Sequence, residues 1–139
     1  RYLPVDAAGI PTSGLAPVAG TPFDLRRSPR VGDVVAATGG LDHSYAVAPD
    51  AASMGRVAPV AWLGGPRSGR VLEVRTDRPA LQVYAGAHLG APFAPFDGLC
   101  LEAQAFPDTP NRPDLGSVEL RPGEVARSTT ELHFGLIGG

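Results

Sequence analysis

Prolines and glycines interrupt this chain so often that a long helix has nowhere to form. Its 139 residues include 15 prolines and 18 glycines, spread over the whole length. Proline inside a helix removes a hydrogen bond and clashes with the preceding turn, and glycine there costs about 1 kcal/mol relative to alanine. Between the interruptions lie short apolar runs. None keeps a 3.6-residue period for more than a turn or two, whereas several alternate with period two. The alternation predicts strands over 57–63 (VAPVAWL), 70–76 (RVLEVRT), 80–84 (ALQVY), 98–104, 117–120 and 125–134, with an earlier one over 42–48. GGPRSG reads as the hairpin connection between the runs at 57–63 and 70–76, and RPGE as a turn before the last strand. Residues 1–30 carry five prolines and read as irregular chain with at most one short strand. The expected fold is all-β, a sandwich or barrel of mostly antiparallel strands with little or no helix, in a single partial domain without an internal linker.

Charge excludes several classes of partner. The net charge is -2, from 14 acidic and 12 basic residues, which gives no electrostatic footprint for nucleic acid or an anionic membrane. Every basic side chain is arginine, a pattern that reads as coding bias, so single arginines are weak pointers to anion sites. Cys100 is the one cysteine; it rules out an intramolecular disulfide and fits a reducing, cytoplasmic setting. No apolar run approaches the ~20 residues of a membrane helix. The chain opens on Arg1 without an initiator methionine, and the expectation is a piece of a longer protein.

Strand parity then sorts the residues that could carry chemistry. Leu99, Leu101 and Ala103 point one way, and Cys100, Glu102 and Gln104 the other; Leu81 and Val83 likewise oppose Gln82 and Tyr84. A face bearing Gln82, Tyr84, Glu102 and Gln104 is rich in hydrogen-bonding groups. It suits a polyhydroxylated ligand, or it is a solvated sheet face of the ordinary kind. Asp42-His43 is either a positioned acid-base pair or a polar strand start. Cys100 could be a nucleophile or a small packing residue. GGPRSG lacks the Gly-Lys-Ser/Thr ending of a phosphate loop. The three histidines, at 43, 88 and 133, and the single cysteine show no metal-ligand spacing, and the flanks of the histidines share too little for a repeat. Pro107, Pro110 and Pro113 form a PxxPxxP array, a polyproline ligand or, with Asp108, Asn111 and Asp114 each following one of them, a rigid loop walling the strand that carries Glu102.

Taken in order, YLPVDAAGIPTSG, VAGTPFDLR, GLDHSY, SGRVLEVRTDRPALQVYAG, GLCLEAQAFPDTPNRPDLGSVELRPGE and STTELHF resemble the C-terminal portion of the aldose 1-epimerase (galactose mutarotase) family. The resemblance implies a β-supersandwich with a sugar in an open cleft and interconversion of the α and β anomers of free aldoses. It implies that Glu102 is the general base, that Asp42 and Gln82 bind the sugar, and that His43, Tyr84 and Gln104 stand behind them. It implies no metal and no organic cofactor. The family's acid histidine falls upstream of Arg1, so the implied partners are an aldose and the N-terminal half, with open strand edges inviting self-association. Where many relatives have a tyrosine-threonine-glycine-asparagine run this chain has Tyr84-Ala85-Gly86-Ala87; the missing amide bears on sugar preference. A non-catalytic carbohydrate-binding relative is the alternative, and a β-sandwich interaction module a third reading.

Overall fold

The computed structural model describes residues 1–48 and 55–137. Among the described residues, seven strands and one short α-helix follow each other in the order β1 (Tyr2–Leu3), α1 (Val31–Thr38), β2 (Asp42–Ala46), β3 (Ala58–Gly65), β4 (Arg70–Thr76), β5 (Ala80–Tyr84), β6 (Cys100–Gln104) and β7 (Thr130–Leu136). They form two antiparallel sheets, β1-β2-β5-β6 and β3-β4-β7. Val74 of the second sheet meets Leu81 and Val83 of the first, with Val34, Leu41 and Ala85 completing the buried cluster. Leu99, Leu101 and Ala103 pack onto the same core, as their parity requires.

Four local expectations change. Residues 31–38 form a helix of two turns, closed by Gly39 at φ 73. It buries Val34 against the core, with Val31 and Val35 beside it. At eight residues it is too short for periodicity to be read against its neighbours. Residues 117–120 lie outside any sheet. The last strand begins at Thr130, not at Val125, because its register is set by the end of β4. Thr76 Oγ1 bonds the Thr129 carbonyl and Thr130 Oγ1, both at 3.0 Å, and the Asp77 carboxylate accepts from the Thr129 N–H at 3.0 and 3.1 Å. The 42–48 run ends its pairing at Ala46.

The two ends of the first sheet are held by loops. Phe106 packs on Leu3 and Ala80, with Leu15 and Leu115 alongside, so the chain after β6 folds back over the face of Glu102 at its Gln104 end. The PxxPxxP segment is an ordered loop of two 3-10 turns, Thr109–Asn111 and Pro113–Leu115. Arg112 ties it down, pairing with Asp114 at 2.8 Å and donating to the Ser13 carbonyl at 3.2 Å. At the other end, a loop over 85–98 closes on Gly86. A Cβ there would stand 2.7 Å from the Gly98 carbonyl oxygen and 2.8 Å from Leu89 Cδ1, at a φ of +73. Gly86→Ala is expected to destabilise the protein by ~1–3 kcal/mol, because the strained backbone and the carbonyl clash cannot both relax. A denaturant midpoint unchanged by the substitution would show that the loop base yields.

The second sheet is unevenly covered. Leu132, Phe134 and Leu136 of β7 share the face of Val74 and Leu72 yet remain 52%, 78% and 64% exposed. Beside them a cavity of about 950 Å³ opens between the sheets, lined by Val34, Val60, Leu63, Leu81, Leu101 and Ile137 among others.

Candidate functional site

Register brings the sequence-derived residues together on the first sheet. Directly opposed residues of antiparallel strands project to the same face, with Cβ atoms about 4.5–5.5 Å apart. Ser44 opposes Gln82, and Gln82 opposes Glu102; one step along, Asp42 opposes Tyr84, and Tyr84 opposes Cys100. Gln104 opposes Ala80 at the loop-covered end. Asp42, Gln82, Tyr84, Cys100, Glu102 and Gln104 therefore occupy one face, away from the core.

Contacts within the strip are specific. Gln82 Nε2 donates to Asp42 Oδ1 at 2.7 Å, a charge-assisted bond that fixes which end of the amide meets the carboxylate. Glu102 is exposed, beside Gln82 and free to meet a solute from the solvent side. Tyr84 Oη accepts from the His88 N–H at 2.7 Å, and the two rings stack at 6.4 Å, so the 85–98 loop brings an imidazole to the Asp42 end of the strip. Neither Tyr84–His88 nor the loop fold that creates it is visible in strand alternation, since His88 lies in the loop that follows β5. Cys100 is an exposed thiol on the same face, not a packing residue. The large inter-sheet cavity lies on the opposite side of the sheet from this strip, and its apolar lining belongs to the core.

His43 falls elsewhere. Its neighbours in β2, Asp42 and Ser44, take the polar face, so its ring points to the other side. There it packs against Phe23 at 4.4 Å and Tyr2 at 5.8 Å between ring centres. Phe23 is presented by a turn that Asp24 caps: the carboxylate takes Arg26 Nε at 2.8 Å and Nη2 at 2.7 Å, which pulls its pKa down to about 2. Asp42 and His43 touch only through the Asp42 N–H, 3.3 Å from His43 Nδ1. Burial lowers the His43 pKa from its usual 6.5, with the Asp42 charge pulling weakly the other way. The unfolded chain thus binds that proton more readily, and stability conferred by the neutral ring is present above pH 6.5 and is lost as pH falls towards the folded value. Replacing His43 with phenylalanine is expected to flatten the decline in denaturation midpoint on the acid side of neutrality; an unchanged decline would place its origin in another group.

Among the described residues no helix is long and apolar enough to cross a membrane, and no three His, Cys, Asp or Glu side chains are grouped to hold a metal ion.

The sequence model of the family "Aldose 1-epimerase" matches residues 1–133. The chain is 38% identical to galactose mutarotase of Mus musculus, over 97% of this chain and 41% of that protein. It is 38% identical to aldose 1-epimerase of Escherichia coli K12, over 96% of this chain and 42% of that protein. Among solved structures, galactose 1-epimerase from Lactobacillus acidophilus superposes with a TM-score of 0.80 at 36% identity, covering 98% of this chain and 41% of that one. An aldose epimerase homologue from C. elegans shares the fold at a TM-score of 0.88 and 21% identity, covering 99% of this chain and 43% of that one. The chain thus spans about two-fifths of the length of the curated relatives it matches.

Proposed function

This chain belongs to the aldose 1-epimerase family, and on that premise we propose that it supplies the general-base part of an enzyme that interconverts the anomers of a free aldohexose such as galactose or glucose. The observation that carries the reading is the strip in which Glu102, Gln82 and Asp42 stand side by side on one sheet face, with the Gln82–Asp42 bond at 2.7 Å.

Opening a cyclic hemiacetal requires one group to accept the C1 hydroxyl proton and another to donate a proton to the ring oxygen. Glu102 takes the first role. As its carboxylate removes the proton, the C1–oxygen pair closes to a carbonyl, the bond from C1 to the ring oxygen breaks, and the acid protonates that oxygen. Rotation about C1–C2 exposes the opposite carbonyl face; the ring hydroxyl attacks it and gives its proton back to the acid while Glu102 returns its proton to the C1 oxygen, and the other anomer forms. Asp42 and the Gln82 amide hold sugar hydroxyls while this happens. Because Glu102 is mounted on a strand, its backbone keeps a fixed register beside Gln82. The proton donor is an imidazole contributed by the remaining part of the protein. No cofactor enters the cycle.

Polarimetry on freshly dissolved α-galactose or α-glucose with the complete protein tests the proposal: the drift to equilibrium rotation should be faster than in buffer alone. A second reading, sugar binding without chemistry, draws on His43 facing away from Glu102. It would gain from calorimetric sugar binding with no acceleration of that drift.

A further inference from the structure

Three buried side-chain polar atoms lack a hydrogen-bond partner among the described residues: Ser44 Oγ, Gln82 Oε1 and Tyr45 Oη. The first two belong to directly opposed residues on the face of Glu102. Their chemistry is complementary. The Gln82 NH2 is committed to Asp42, whose carboxylate can only accept, so Oε1 is left turned inwards as an acceptor in need of a donor. Ser44 is 2% exposed and offers a hydroxyl that rotates freely and can donate. A buried carbonyl and a buried hydroxyl left without partners both carry a desolvation penalty, and one water that accepts from the hydroxyl and donates to the carbonyl removes both. Tyr45 projects to the core face and cannot serve.

We propose that Ser44 is a positioning residue for the sugar site: the two atoms are not in direct hydrogen-bond contact, and the Ser44 hydroxyl reaches Gln82 Oε1 through a single bridging water, thereby holding the Gln82 amide with its NH2 on Asp42. The order of the array is then Ser44, Gln82, Asp42, with each group fixing the direction of the next. Without the hydroxyl, Gln82 Oε1 loses its donor, and the amide is held at its NH2 end alone and can swing off the carboxylate. Glu102 does not depend on this chain of bonds, so the effect falls on sugar binding more than on proton abstraction. As far as it concerns sugar, the inference rests on the function proposed above; the bond itself does not.

The experiment has two readouts in the complete protein. In the first, the Gln82 side-chain amide resonances are followed by nitrogen-15 NMR in wild type, Ser44→Ala and Ser44→Thr. Ser44→Ala should move or broaden that pair, and threonine, which keeps the hydroxyl, should restore it; a pair unmoved by alanine overturns the proposal whether or not the protein turns over sugar. In the second, Ser44→Ala should raise KM for galactose about three- to tenfold, the scale of one neutral hydrogen bond, with kcat nearly unchanged. The same change made in a Gln82→Ala background should add nothing. An equal rise in both backgrounds overturns the proposal, because Ser44 would then act otherwise than through Gln82. A wild-type protein that neither binds nor anomerises sugar would instead count against the proposed function, and the amide resonances would still decide the role of Ser44.

Discussion

Glu102→Gln in the complete protein is expected to lower catalysed mutarotation by ~10²–10⁴-fold, the usual effect of losing a general base. Glutamine keeps the size and polarity of the side chain and removes its ability to take a proton. Glu102 is exposed and forms none of the sheet's core contacts, so the fold should tolerate the change within about 0.5 kcal/mol, as surface positions generally do. The loss should appear in kcat, with KM little altered, because the proton moves only on the way to the transition state. Polarimetry gives the rate and a denaturation curve the control. A variant that turns over like wild type would remove Glu102 from the role and with it the proposed mechanism.

The 139 residues alone are expected to be slower than the complete protein by at least ~10²-fold, the contribution of a general acid. None of the three histidines is hydrogen-bonded to Glu102. His43 is packed among Tyr2 and Phe23 on the far face, His133 sits on the second sheet beside Glu131 at 3.1 Å, and His88 meets Tyr84 through its backbone N–H at 2.7 Å and a ring stack at 6.4 Å. On the proposed reading, the uncovered apolar residues of β7 and the gap between the sheets are where the rest of the domain would add to the core. Adding in trans the portion of a family member that this chain does not match should restore part of the rate. Equal activity of the segment and the complete protein would locate the acid within these residues and refute the division of labour.

Strands whose two faces differ in chemistry were legible from their residues alone. ALQVY and LCLEAQ alternate cleanly because one side meets the core and the other does not, and that same alternation set Gln82 and Glu102 on one face. Features decided by a distant partner were not. The start of β7 depends on Thr76 and Asp77, more than fifty residues away, and Ser117 to Leu120 has strand-like composition with no neighbour to pair with. Helix α1 is a two-turn element stabilised by burying Val34, which propensity cannot report. In the site, Asp42 and His43 are adjacent in sequence, yet period-two geometry sends them to opposite sides; resemblance to a family motif grouped them, and the pleat separates them. The Ser44–Gln82 juxtaposition needed the register between β2 and β5, which no single strand encodes.

The placement of Cys100 has a practical side. This chain's only thiol emerges across from Tyr84, two residues before Glu102 and on the same face. An environment-sensitive fluorophore coupled there needs no competing sulfhydryl engineered out of these 139 residues. It would sit at the rim of the strip, where the arrival of a saccharide changes the local polarity, and so give an optical titration of occupancy independent of turnover.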